Sequence, residues 1–106
     1  MFPLYIANGV TGFRDMYTTL EDIKVAAAWT RAEEAGTLTG PAIVPTSTMI
    51  NGGGNEEQHT IIPKTPAGAR RVVDSLVAGG ARSIKVQANQ SREIYLAIAD
   101  EAKAKG

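Results

Sequence analysis

The residues that could do chemistry in this chain are few, and they sit apart. The sole histidine, His59, follows Glu56 and Glu57. An imidazole and two carboxylates are metal-ligating groups, but nearly adjacent residues in a loop do not fix a coordination geometry, so the expected state is a solvated loop. A single exposed histidine also gives only a small pH response. Arg14 and Asp15 fall at the C-terminal end of a predicted strand, the end that carries ligands in parallel α/β folds. They read either as part of a substrate or second-shell network, or as an ion pair or a loop-capping aspartate. Gly52-Gly53-Gly54 invites a phosphate cradle of main-chain N–H groups. No Lys-Ser/Thr pair follows it and no helix starts there, so loop flexibility is the simpler account. Arg70, Arg71 and Arg82 make a small basic cluster, read as a solvated helix end.

Composition narrows the classes further. The chain has 106 residues, enough for one domain, with 43% apolar and 21% charged residues, a globular mixture. Eleven basic and eleven acidic residues cancel, which argues against nucleic acid as a partner. Tyr5, Tyr17, Trp29 and Tyr95 are too scattered for a base-stacking platform, and Trp29 reads as core. The absence of cysteine excludes disulfides and thiolate metal sites. With no basic leader and no apolar run of membrane-spanning length, the expectation is a cytoplasmic protein with no membrane partner.

The elements that must position these residues alternate. Phe2 to Ala7 reads as the end of a helix stopped by Asn8-Gly9, and Val10 to Met16 as a strand. Thr18 or Thr19 caps a helix from about Leu20 to Ala35, since an acidic residue lies three positions after each. Ile23, Ala26, Ala27 and Thr30 form its apolar stripe, with Val25 and Trp29 beside it. Pro41 to Thr46 is a second strand, and Ser47 to Lys64 an eighteen-residue loop. Thr65-Pro66 starts a helix with Ala69, Val72, Val73, Leu76 and Val77 inward and Gly79-Gly80 at its end. Ser83 to Gln87 is a third strand, and Ser91 caps a last helix from Arg92 to Lys105. Strands separated by helices imply right-handed crossovers and a parallel sheet.

Four segments in order resemble one family. Asn8-Gly9-Val10-Thr11-Gly12-Phe13-Arg14-Asp15-Met16 is similar to the phrase "xNGVTxxRDM" of the metal-dependent amidohydrolases, closest to their imidazolonepropionase-like and prolidase-like branch. Gly40-Pro41-Ala42-Ile43-Val44 resembles its "GPR(L/I)V" strand, and Thr65-Pro66 through Ala81 its "TPEEARxxVDxLVxxGA" segment. Ser83-Ile84-Lys85-Val86 resembles "DxIKV", followed by a helix similar to "SxExxxAIxxEAKxxG".

The resemblance implies a (β/α)₈ barrel with one or two divalent metals, zinc or similar, that hydrolyses C–N bonds. Such a barrel takes about 250 residues. By motif this chain holds only the second, third and fourth strands. Lys85 matches the fourth-strand lysine, which in part of the family is carbamylated and bridges two metals. The other implied ligands, a His-x-His, two further histidines and an aspartate, match nothing here, and His59 matches none of them. A catalytic zinc needs three protein ligands. The expectation is therefore an α/β partial barrel of three parallel strands with crossover helices, without cofactor as an isolated chain. Lys85 is then a metal residue only within an assembled barrel. Catalysis, if any, belongs to an assembly acting as a metal-dependent hydrolase. The alternative is a small-anion or metabolite binding module with Asp15, Arg14 and His59 as lining residues, together with Lys85 and the glycine loop. Three strands leave an open face and two edges, so a homo-oligomer or domain-swapped form is expected.

Overall fold

Each long helix begins where a side chain meets its first free N–H groups. The computed structural model describes residues 2–16, 18–54 and 59–106. In order these form α1 (Phe2–Ala7), β1 (Gly12–Arg14), α2 (Leu20–Glu34), β2 (Ala42–Val44), β3 (Met49–Ile50), β4 (Thr60–Ile61), α3 (Pro66–Ala78) and α4 (Arg92–Ala104). Thr19 is the residue that caps α2. Its hydroxyl accepts the Asp22 N–H at 3.1 Å, while the Asp22 carboxylate accepts the Thr19 N–H at 2.8 Å, a reciprocal capping box. Thr18 instead donates its buried hydroxyl to the Thr46 carbonyl at 2.8 Å. Thr65 accepts from Gly68 N–H at 3.0 Å with Pro66 at the first helical position, and Ser91 accepts from Ile94 N–H at 3.3 Å.

The sheet is parallel throughout. Gly12, Phe13 and Arg14 pair with Ala42, Ile43 and Val44, and Met49 and Ile50 pair with Thr60 and Ile61. Segment 82–88 lies along the other flank of 42–51. Arg82 N–H donates to Pro45, Ser47 N–H to Ser83, Ile50 N–H to Lys85, Gln87 N–H to Ile50 and Gly52 N–H to Ala88. Residues 42–51 are thus the centre, with β1 and β4 at successive positions on one side and 82–88 on the other.

Three sequence expectations change here. The eighteen-residue loop is not a loop at its start, because 45–51 continues the central strand in buried positions and Thr60–Ile61 returns to pair with it. The third strand, expected at Ser83 to Gln87, survives only as the bridges Thr46 to Ser83 and Ile50 to Val86. Four steps along one segment answer three along the other, so the central strand carries one extra residue and regular pairing is broken, as in a β-bulge. The first strand is also shorter than Val10 to Met16, with only Gly12–Arg14 paired.

The core lies between the sheet and its helices. Ile23, Ile50, Ala69, Val73, Leu76, Ala81, Ala97 and Ile98 form one cluster, with Ile84 and Val86 packed against it. Ile23, Ala69, Val73, Leu76, Ala97 and Ile98 are at the apolar positions that helical spacing gives α2, α3 and α4, whereas Ile50 and Ala81 lie outside the helices. The Thr30 hydroxyl, buried on α2, lies 2.7 Å from the Ile43 carbonyl oxygen and pins that helix to β2. Trp29 was expected in the core and is not: it is 42% exposed, with its ring edge-on to Phe2 at 5.1 Å. Helix α1 reaches it from outside, and Trp29 also borders a small cavity shared with Phe13, Ile43 and Val44 of the sheet.

On the opposite face Gly12, Arg14, Ala42 and Val44 are exposed. The radius of gyration is 15.2 Å, against about 13 Å for a compact domain of this length. The fold is an open α/β arc. No helix among the described residues is long and apolar enough to cross a membrane.

Candidate functional site

Parallel strands bring their C-terminal ends to one rim, and this is where the sequence candidates converge in part. Lys85 sits in segment 82–88 beside the bulge. Its N–H donates to Ser47 Oγ at 2.8 Å, its carbonyl accepts from Ile50, and its ammonium donates to the Met16 carbonyl at 2.6 Å. Met16 follows β1, so the side chain reaches across the central strand. Ser47, completely buried, supplies the acceptor that the extra residue in its strand removed from the ladder. Ser83 Oγ donates to Thr46 Oγ1 at 3.1 Å alongside.

Beyond Lys85 the two strand ends are locked together. Asn89 adopts a left-handed φ of +62° and donates Nδ2–H to the Gly53 carbonyl at 2.8 Å. Gly52 lies so close that a Cβ there would fall 1.7 Å from the Asn89 carbonyl oxygen. Its N–H points at Ala88 O, 3.0 Å away, and at Asn51 Oδ1, 2.8 Å away. Loop flexibility is therefore the wrong reason for Gly52. The residue is needed for close approach of two backbones.

Asp15 and Arg14 are exposed at the end of β1. Asp15 lines a small cavity of about 150 Å³ with Thr18, Asp22, Trp29 and Thr46, and Asp22 is held below the usual carboxylate range by the hydroxyl and N–H of Thr19. Lys85, Arg14 and His59 do not line that cavity. His59 is exposed, with φ +67°, just before β4, while Glu56 and Glu57 lie outside the described residues. The basic cluster disperses: Arg82 pairs with Glu34 at 3.2 Å, and Arg70 with Glu101 at 3.4 Å and Asp100 at 3.5 Å. The structure thus ties Lys85 to the loop after β1 but assembles no shared pocket from the four candidates. A larger cavity of about 610 Å³ lies at the opposite end, between the ends of α3 and α4, lined by Val77, Ala81, Ile84, Ala102 and the already paired Arg82 and Lys105.

A divalent metal does not fit what is present. Among the described residues no group of three or more His, Cys, Asp or Glu side chains converges, and the one matching lysine is engaged with a carbonyl. Sequence reasoning missed Ser47 and Asn89. The consecutive hydroxyls Thr46-Ser47-Thr48 after a strand were the available signal for the first, and the left-handed tolerance of asparagine between strand and cap for the second.

The rim and its one-sided helical cover define a class, an α/β fragment with parallel strands. The comparisons agree with that class. The chain is similar to the solved structure of a putative prolidase from Bifidobacterium longum, with a TM-score of 0.75 and 25% sequence identity. The match covers 92% of this chain and 26% of that one, so the chain spans about a quarter of its neighbour's length. No protein-family model matches the chain, and no curated protein does.

Proposed function

We propose that this chain is a truncated amidohydrolase-like domain of the prolidase-like branch that does not hydrolyse C–N bonds alone. The observation that carries the reading is the similarity of nearly the whole chain to a quarter of the Bifidobacterium longum protein. Lys85 is the single residue matching a family ligand. A zinc held by one lysine lacks the protein ligands that a catalytic site needs. Without metal, a carbamate on Lys85 has no stabilising partner, and the ammonium bonded to Met16 is the consistent state. The exposed sheet face and edges support self-association as the way the arc is covered.

The anion-binding alternative rests on less. The Gly52 N–H and the Lys85 ammonium are both engaged within the chain, which leaves Arg14 as the cation at that rim without a hydrogen bond or ion pair among the described residues.

Metal analysis after incubation with zinc or manganese and dialysis tests the proposal, together with a dipeptide hydrolysis assay. The expected result is far less than one equivalent of metal, equal in wild type and Lys85→Ala, and no turnover. One or two equivalents lost in Lys85→Ala would overturn it.

A further inference from the structure

We infer that the groove between the start of α2, β4 and α3 binds a small free monocarboxylate with an alkyl body, held at its anionic end by Arg71.

The groove is built from three elements. Leu20 comes from the first turn of α2, Ile61, Ile62 and Pro63 from β4 and the residues after it, and Val72 and Leu76 from α3. At the far end of α3 the two helices close on each other, with the Ala27 Cβ 3.0 Å from the place a Cβ on Gly80 would take. Beside Leu20 a cavity of about 460 Å³ lies between them. That is within the range of about 300–1,000 Å³ of small-molecule sites. Leu76 and Pro63 are buried, while Leu20 stays 49% exposed at the mouth. A concave apolar wall of this kind is covered by an alkyl chain, which displaces the water against it.

Charge selects the other end of the occupant. Among the lining residues the only polar side chains are Arg71 and Ser75, and no carboxylate is present. Arg70 is tied to Glu101 and Asp100, Arg82 to Glu34, and Lys105 to Asp74. Arg71 makes no hydrogen bond or ion pair with the described residues. Its Nη2 lies 4.0 Å from the place of a Cβ on Gly68, so the guanidinium folds back over the first turn of α3. That turn carries no acid. A cation over the positive end of a helix is unfavourably placed, and a bound anion relieves it. The planar fork of arginine matches a carboxylate with two parallel hydrogen bonds. The carboxylate thus belongs beside Arg71, and the alkyl body along Val72, Ile61 and Ile62.

The test is an amide-resolved NMR titration of the whole chain with octanoate. Saturable shifts are expected at Leu20, Ile61, Ile62, Gly68 and Val72, and none with octylammonium, which has the same body and the opposite charge. Affinity should rise roughly two- to fourfold for each methylene added between butanoate and octanoate. Arg71→Met keeps the stem and should weaken octanoate roughly tenfold or more. Arg71→Glu should reverse the preference toward octylammonium. Ser75→Phe, at an exposed position of α3, fills the groove without changing charge and should abolish binding of both. All three positions of change lie on the surface, so the helical spectrum should stay that of wild type. Absence of saturable shifts, shifts centred elsewhere, equal binding of octanoate and octylammonium, or an Arg71→Met variant that binds octanoate like wild type would each overturn the inference. Shifts of the same amides on raising protein concentration without octanoate, with light scattering at twice 11.2 kDa, would assign the groove to a second copy and overturn it as well. None of these outcomes bears on the metal and hydrolysis measurements, so the two proposals fail separately.

Discussion

The N–H of Lys85 donates to the buried hydroxyl of Ser47 at 2.8 Å, at the point where two neighbouring strands fall out of step. One extra residue in 46–50 leaves that N–H without a ladder acceptor, and a side chain replaces the missing carbonyl. The same bond fixes the main chain from which the Lys85 side chain departs. Ser47→Ala leaves a donor in a buried setting unsatisfied and should cost about 1–3 kcal/mol in urea unfolding. Ser47→Thr keeps the acceptor and should recover part of the loss. Equal stability of Ser47→Ala and wild type would contradict this role.

Lys85 acts beyond its main chain by holding the Met16 carbonyl. Lys85→Met keeps the stem and removes the donor. Because the bond is at the surface, global stability should fall by about 1 kcal/mol or less. The effect should appear locally, as faster amide exchange at Met16 and Thr18 with the core of α3 unchanged. Uniform acceleration across the chain would show that the lysine supports the whole fold and not the loop after β1.

Gly52 and Gly53 are adjacent and should respond very differently. A methyl at Gly52 would fall on the Asn89 carbonyl, a backbone group that cannot move without opening the two strand ends. Gly52→Ala should cost about 3 kcal/mol or more. At Gly53 nothing lies within 4 Å, and the strain of a φ of +106° is the only penalty, so Gly53→Ala should cost about 1–2 kcal/mol. Chemical unfolding of the pair separates close approach from backbone freedom.

These positions show where the sequence was and was not informative. Caps and apolar spacing are local, and Thr65-Pro66, Ser91 and the inward faces of α3 and α4 were legible because their partners lie within a turn or two. The parallel direction of the strands followed from the alternation. Trp29 was misread because its neighbour, Phe2, belongs to a helix end whose position depends on tertiary contact. The bulge was not legible at all. A run of Pro, Thr and Ser between apolar residues looks like a loop until a second strand, thirty-odd residues away, is known to lie beside it. Of the candidate site, Lys85 was legible only as a residue of the expected third strand, and its bond to Met16 depends on three strands at once.

The α2 capping box should make stability fall in acid. Thr19 holds the Asp22 carboxyl below its ordinary value of 3.8, through both its hydroxyl and its N–H. A carboxyl depressed on folding stabilises above its unfolded pKa, and the contribution is lost as pH falls through the folded value. Melting temperature should therefore drop below pH 3.8, and Asp22→Asn should lose stability at neutral pH while showing a shallower acid decline. Parallel acid profiles for the two proteins would contradict the capping role.

The last turn of α4 should give the complementary signature in base. Lys105 Nζ lies 2.7 Å from Asp74 Oδ1 on α3 and 3.6 Å from Glu101 Oε1 on its own helix. Hydrogen bonding and charge from Asp74 raise Lys105 above 10.5, and Lys105 in turn lowers Asp74 below 3.8. A raised lysine stabilises fully below its unfolded pKa and loses that contribution as pH rises through the higher folded value. The lowered aspartate loses its share as pH falls through its own folded value. The pair thus works across the interval between, and fails at both ends. Arg70 also binds Glu101, so that acid stays partnered when Asp74 is neutralised. Asp74→Asn should consequently flatten the melting curve against pH above 10.5 as well as below 3.8. The difference from wild type at neutral pH should shrink in added salt, since the two side chains are 41% and 46% exposed. A salt-independent difference would place the role of Asp74 in packing instead of charge.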